Sequence, residues 1–446
     1  MSIPRSRGCL SVNDHAFFAI GDAVYNVTSD GSTVASYGPI KDDLTPPFDR
    51  VQMAIGGPRI DDGNPSQLVF TSGQKAYMLP PLQEIPWLVG TPVIGCAVLN
   101  NYFLFLSAAG DGFFFSEPGD ALSGSLLNFI SAEADANYYW GINVLDQRIW
   151  LNGQRISQVF YDNSSIDPTN PFLPDQAGVI QQGTAALNSP TVFDNALHWV
   201  SRNEGGQGIA FQNNGYLPVR ISNFAVEDAW RKYPTIEDAV GYTVTQKGHQ
   251  WWRIWFPSGN ETWQYDPLLG PALGWSKALY LNPTSGRYEA DRGACACELR
   301  GQMLVGDRAN SKIYKMSLDY LDDAGDRIAW MRRAPIISNE NKMISYPWFE
   351  LDCQVGVGDG SNLDPNVGPV TPEADPMVMM RYSNDWGQTW SNERLRSMGK
   401  QGEYGKRVIW TRNGQGRQRV FEVSGSASVK VAISSAYLRD PLARTT

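Results

Sequence analysis

The sequence predicts an all-β chain: a β-propeller-like body of six or seven blades, followed by a C-terminal β-sandwich. Three observations carry this. Aromatic residues make up 12% of 446 residues, and 43 Gly and 28 Pro cut the aromatic runs into short strands, a mixture that favours strands and turns. One hairpin pattern recurs at nearly constant spacing. After Arg333 that rhythm stops, so the expected domains are 1–333 and 334–446.

The repeat is read from five hairpins. Residues 102–107 turn through Gly110-Asp-Gly into 113–116, 148–152 through Gly153 into 156–161, and 197–201 through Gly205-Gly206 into 209–211. Residues 251–256 turn through Pro257-Ser-Gly-Asn into 262–265, and 302–306 through Arg308-Ala-Asn into 312–316. Equivalent positions are Phe103, Trp150, Trp199, Trp252 and Met303, separated by 47, 49, 53 and 51 residues. A four-stranded blade consumes about fifty residues and buries both faces against its neighbours, which explains strands that are apolar without alternation. A stack of unrelated β hairpins is the competing explanation, and the regular spacing counts against it. Earlier hairpins at 15–27 and 67–79 extend the series, with Phe17 and Val69 52 residues apart but Val69 and Phe103 only 34. Residues 226–240 break the pattern and predict one or two helical turns between blades.

Beyond Arg333, residues 344–355 alternate like a half-exposed strand. The Gly-, Pro-, Asn- and Asp-rich stretch 356–376 predicts a long loop. Strands are expected at 377–383, 407–410, 419–423 and 429–434, a set that packs as a sandwich.

The net charge is −9, yet residues 381–446 hold twelve Lys/Arg against five Asp/Glu, which leaves −16 for the first 380 residues. This excludes a uniformly basic nucleic-acid clamp and marks either a docking face or a solvated basic domain. The basic run Arg394, Arg396, Lys400, Lys406, Arg407, Arg412, Arg417 and Arg419 interleaves with Trp390, Tyr404 and Trp410. Against an acidic body it suits subunit contacts better than base reading. Five scattered cysteines are no disulfide framework; Cys295 and Cys297 form a C-x-C but lack the further ligands of a zinc site. Folding in a reducing cytoplasm is expected, with no cofactor, no signal peptide and no membrane-spanning segment.

Ser383, Asp385, Gly387, Thr389 and Trp390 spell S-x-D-x-G-x-T-W, the Asp-box of sialidases. Its chemistry is local: the carboxylate accepts turn N–H groups, glycine takes positive φ, and Trp packs beneath. A glycosidase needs two carboxylates about 5–10 Å apart, and the adjacent pairs Asp61-Asp62, Glu227-Asp228 and Asp322-Asp323 read as solvated turns. His15, His198 and His249 show no ligand spacing, and no nucleophile-elbow, Walker or zinc-protease motif is present. The expectation is a protein without catalytic residues. Asp359, Asp364, Glu373 and Asp375 of the long loop are candidates for a channel wall or a partner contact; the loop lacks the order of an EF-hand.

The run Met380-Arg-Tyr-Ser-Asn-Asp-Trp-Gly-Gln-Thr-Trp, then 399–412, 416–421 and 429–433, resembles the C-terminal domain of packaged-DNA stabilisation proteins, the tail hub or nozzle subunits of short-tailed bacteriophages. The Gly-Asp-Gly hairpin at 110–116, the stretch 131–139 and the strand pair around Trp150 and Phe160 follow the same order. The resemblance implies a structural virion protein, six copies of which form a tube beneath the portal and adaptor rings. Such a tube extends and closes the DNA channel, passes double-stranded DNA without sequence-specific contact, and carries fibres or spikes with needle or plug proteins. It also implies assembly in the host cytoplasm and a place in the virion tail. This chain starts nearer its first blade than the resembling family does, so a neighbour or the C-terminal domain is a candidate to complete the ring. The rival readings are a carbohydrate-binding or sialidase-like propeller, suggested by the Asp-box, and a tail fibre, which would need fibrous repeats.

Overall fold

The computed structural model describes residues 5–28, 32–41, 49–57, 66–132, 134, 137–360, 371–438 and 443–444. Seven antiparallel sheets follow one another along residues 6–316. The first five have four strands each, the sixth has five and the seventh three. The first strands of these sheets are Ser6–Val12, Gln52–Gly56, Val93–Leu99, Tyr139–Leu145, Thr191–Phe193, Val240–Gln246 and Gly293–Leu299. Each packs on the next, and Gly293–Leu299 packs on Ser6–Val12. Ring closure is therefore internal to the chain, and neither a neighbour nor the C-terminal domain is required for it.

All seven repeat positions lie on the second strand of successive blades, from Phe17 in His15–Ile20 to Met303 in Gln302–Asp307. Phe103, Trp150, Trp199 and Trp252 are buried, and every residue of Tyr102–Ser107 is buried on both faces. Each such side chain withdrawn from water contributes about 1.5–3 kcal/mol. The short 34-residue interval has a plain cause. The outer strand of blade 2 is only Gln83–Glu84, and a single 3-10 turn, Pro86–Leu88, leads into blade 3.

At two points neighbouring first strands approach so closely that no side chain fits. A Cβ on Gly8 would lie 2.0 Å from the Val51 carbonyl oxygen, and one on Gly241 would lie 2.4 Å from that of Ser189. Both glycines serve close approach between neighbouring blades.

Between blades 5 and 6 the helix Phe224–Trp230 forms, capped by the Asn223 side chain accepting from the Val226 N–H at 3.1 Å. It buries Trp230 against Phe256, Trp263 and Trp275. The second expected helical turn, after Pro234, is a series of turns instead: Asp238 is committed to the backbone N–H of Ser258 at 2.6 Å.

Residues 280–288 and 318–446 form a second compact unit. One of its sheets joins Trp330–Arg333, Gln418–Gly425, Met377–Ser383 and Arg394–Ser397, with Ile337–Ser338 also pairing on Gln418–Gly425. Another joins Val408–Thr411, Trp348–Cys353 and Ile433–Leu438. Phe349, Leu351, Val378, Met380, Trp410 and Phe421 make the core between them, with Phe349 and Phe421 stacked at 4.6 Å. The strand expected from Val429 starts only at Ile433, because Val429 closes a tight turn onto the Ala427 carbonyl.

Candidate functional site

The Asp-box sits at the end of strand Met377–Ser383 and is a closed hydrogen-bonding unit. The Ser383 hydroxyl donates to the Asp385 carboxylate at 2.6 Å and accepts the Gly387 N–H at 2.8 Å. The Thr389 N–H donates to both Asp385 oxygens at 2.9 and 3.0 Å. These bonds, from the Ser383 hydroxyl first and then from Thr389, hold the Asp385 carboxyl down at about 2. Gly387 has φ +89°, and Trp386, exposed at the tip, also takes positive φ. Trp390 donates its indole N–H to the Gly387 carbonyl at 3.1 Å.

Beneath the box lies a polar knot that the motif does not announce. The guanidinium groups of Arg333 and Arg381 each lie 4.8 Å from the Trp390 ring. Both pair with Glu422, which is 2% exposed, at 2.7 and 2.5 Å. The Asp-box is thereby pinned to the sheet by a buried carboxylate and two cations. Glu422 and Arg333 stand 89 residues apart, and nothing local in the sequence links them.

The basic run divides when placed on this unit. Arg394 and Arg396 reach from the edge strand Arg394–Ser397 to carbonyls of the facing edge strand, Thr411 at 2.6 Å and Ile409 at 2.7 Å. Arg407 is neutralised by Glu350 at 2.7 Å, and Lys406 by Glu403 at 2.9 Å. Arg417 donates to the Asn341 carbonyl at 2.7 Å. Arg396, Lys400, Arg412 and Arg417 are exposed, and none is paired with a carboxylate among the described residues. Arg419 is a correction: it is no surface residue, at 1% exposure. Its guanidinium lies 4.2 and 4.0 Å from the Tyr346 and Tyr382 rings and bonds Asn384 at 2.9 Å and the Asn413 carbonyl. Its aromatic neighbours shed the water that a docking arginine would keep. Trp410 is likewise core, while Tyr404 is exposed.

The acidic loop also divides. Asp364 lies outside the described residues. Glu373 pairs with Arg327 at 3.1 Å, and Asp375 accepts from the Ser397 hydroxyl; both are half-buried and committed within their own unit. Asp359 is exposed. The loop's flanks are tied by backbone bonds, the Gly356 N–H to the Met398 carbonyl at 2.8 Å and the Asp359 N–H to the Glu373 carbonyl, within the loop, at 2.9 Å.

In the propeller, the first strands surround a cavity of about 270 Å³, lined by Arg7, Arg50, Gln52, Asn143, Tyr242 and Cys295 among others. No carboxylate is among its described lining residues, so the paired acids of a glycosidase are not found there. Glu227 is bound to Arg220 and Ser222, and Asp228 to Arg231 and Lys232; Asp61-Asp62 lies outside the described residues. His198 is fully buried against Phe193, Trp252 and Tyr265, and burial pushes it down to about 4. His15 meets Asn26, and His249 stacks on Trp251. Among the described residues no group of three His, Cys, Asp or Glu side chains could hold a metal ion, and no helix is long and apolar enough to cross a membrane.

Residues 5–320 match the family model described as Bacteriophage P22 Gp10, beta-propeller, and residues 329–440 match Bacteriophage P22 Gp10, beta-sandwich. Comparison with curated proteins gives no match. Among solved structures the chain is similar to the N-terminal domain of Nup159, at 11% identity and TM-score 0.42, over 70% of this chain and 90% of that one. It is also similar to an exo-beta-1,3-galactanase from Phanerochaete chrysosporium solved with galactose, at 9% identity and TM-score 0.31, over 98% and 96%. Likeness this loose carries no argument about function.

Proposed function

The chain belongs to the bacteriophage P22 Gp10 family of phage structural tail proteins, and from that membership we propose that it is the tail hub, or nozzle, subunit of a short-tailed phage. Six copies form a tube below the portal and adaptor rings, retain the packaged double-stranded DNA, and carry fibres or spikes with the needle or plug proteins. Assembly takes place in the host cytoplasm and the product resides in the virion tail.

The observation that carries this reading is the separation of charge. A channel for a polyanion should not grip it, and an acidic body, with −10 over residues 1–333, lets DNA slide where a basic one would release counterions and hold it. The positive charge collects instead on residues 381–446 of the C-terminal unit, where Arg396, Lys400, Arg412 and Arg417 are exposed without carboxylate partners among the described residues. We assign that edge to ring and adaptor contacts, made with acidic surface of the neighbouring subunit or adaptor. Of the long loop, Asp359, which is exposed, and Asp364 remain the candidates to face DNA, whereas Glu373 and Asp375 are half-buried.

Mass measurement on tails purified from virions tests the assembly: a six-membered ring is expected, and a monomer in the tail overturns it. Reversing Asp359 and Asp364 to Lys tests the channel wall; ejection should slow, and unchanged ejection removes the loop from the bore.

A further inference from the structure

The C-x-C pair acquires a third thiol in the fold. Cys9 lies on the first strand of blade 1 and Cys295 and Cys297 on that of blade 7, the two strands whose packing closes the ring. Cys9 packs against the buried cluster that holds both Cys295 and Cys297. The two neighbours are placed together by strand period, since residues two apart share a face. All three are free thiols. Cys9 and Cys295 line the 270 Å³ cavity, so a small solute in it reaches them. Arg50 lines the same cavity, and the neighbouring Cys9 thiol, followed by the Arg50 charge, draws the Cys295 thiol below its ordinary range.

We propose that Cys9 and Cys295 are a redox modification site: a dithiol that small-molecule disulfides convert into a covalent latch between the last blade and the first. The Cys295 thiolate attacks one sulfur of the disulfide RSSR, forming a mixed disulfide and expelling RS⁻. Cys9 gives up its proton and attacks the Cys295 sulfur, which expels a second RS⁻. Two protein thiols and one RSSR become one protein disulfide and two RSH, with two electrons passing to the small molecule. The thiols stay reduced during assembly in a reducing compartment, and the bridge forms when the particle meets an oxidising medium. It would join residues 286 apart in the chain, so it constrains the unfolded state strongly. The chemistry of the latch stands apart from the tail-hub reading; only its timing in particle assembly rests on that reading.

The experiment uses the full chain, equilibrated with oxidised and then with reduced glutathione, and mapped by non-reducing peptide mass spectrometry. The expected result is a Cys9–Cys295 linked peptide, a mass lower by two hydrogens, and a melting midpoint raised by about 5 °C, all reversed by reduced glutathione. The Cys353→Ser variant should behave as the parent, whereas Cys295→Ser should lose both the bridge and the shift. Because mapping of the unaltered chain decides the matter, a variant that fails to fold does not spare the proposal. A bridge to Cys297 instead, stable mixed disulfides only, or no reaction at saturating oxidised glutathione each overturns it.

Discussion

The propeller and the sandwich are both antiparallel β structure, but different forces fix them. In the propeller, each blade repeats one apolar strand pair, and specificity comes from spacing: Phe103, Trp150, Trp199 and Trp252 occupy one position in four successive blades. In the sandwich, polar contacts between residues far apart fix the arrangement. Glu422 gathers Arg333 and Arg381 around Trp390, and Arg419 is stacked among Tyr346, Tyr382 and Phe421. Repetition makes a shape that tolerates sequence drift, whereas the knot makes one that depends on a few charges.

The sharpest way to break the contrast is to empty a repeat position. Trp199 is 1% exposed and donates its indole N–H to the Gly183 carbonyl at 3.1 Å. Trp199→Ala should cost about 3–5 kcal/mol, from lost burial and the cavity left behind, read as a lower denaturation midpoint with the slope unchanged. A cost under about 1 kcal/mol would mean that the blade collapses around the gap and that the repeat positions are not what holds it.

Acid separates the two regions next. All three histidines of the chain lie in the propeller. His198 falls from an ordinary 6.5 to about 4 in the fold, through burial. The unfolded chain therefore binds a proton that the folded one refuses between these values. The neutral-His stability is complete above about pH 6.5 and is lost as pH falls toward 4, by about 1.4 kcal/mol per pH unit. His198→Leu should flatten that slope in propeller unfolding followed by Trp fluorescence. A slope that survives the substitution assigns the acid sensitivity to other groups.

Removing one charge tests the knot. Glu422→Gln leaves Arg333 and Arg381 without their carboxylate, but both cations are half-exposed and recover water. The cost should be about 2 kcal/mol, below that of a pair buried on both sides. Returning the knot to its original net charge with Arg381→Met in the Glu422→Gln background should recover part of it, and a double-mutant cycle measures the coupling. Strict additivity would deny that the three side chains act as one unit.

These contrasts follow what the sequence made legible. Blade positions were readable because apolar spacing is a local, repeated signal, and even the 34-residue slip reduces to a short outer strand, Gln83–Glu84. The Asp-box was readable for the same reason: its bonds span only residues 383–390. Arg419 was misplaced because a stretch rich in Arg and Lys looks the same whether a given arginine meets water or three aromatic rings. The partners of Glu373 and Asp375 are equally hidden from the sequence, Arg327 and Ser397 lying 46 and 22 residues away. The grouping of Cys9 with Cys295 needed the ring to close before it existed at all. A side chain's charge is written in the sequence, and the partner that cancels it is not.

The smallest expected effect on stability is the one with the largest expected effect on assembly. Arg396, Lys400, Arg412 and Arg417 are exposed and lack carboxylate partners among the described residues, so changing all four to Gln should alter unfolding free energy by no more than about 0.5 kcal/mol per site. Arg396 and Arg417 are the most sensitive of them, since they also hold the Ile409 and Asn341 carbonyls. If the edge meets an acidic neighbour, each removed cation weakens association and lowers its dependence on ionic strength. Sedimentation of the parent and the fourfold variant across a salt series reads both quantities. Ring formation should fall for the variant at low salt, with its salt response flattened. A variant that folds and assembles as the parent does leaves the basic segment 381–446 a solvated surface, and moves the interface to another face.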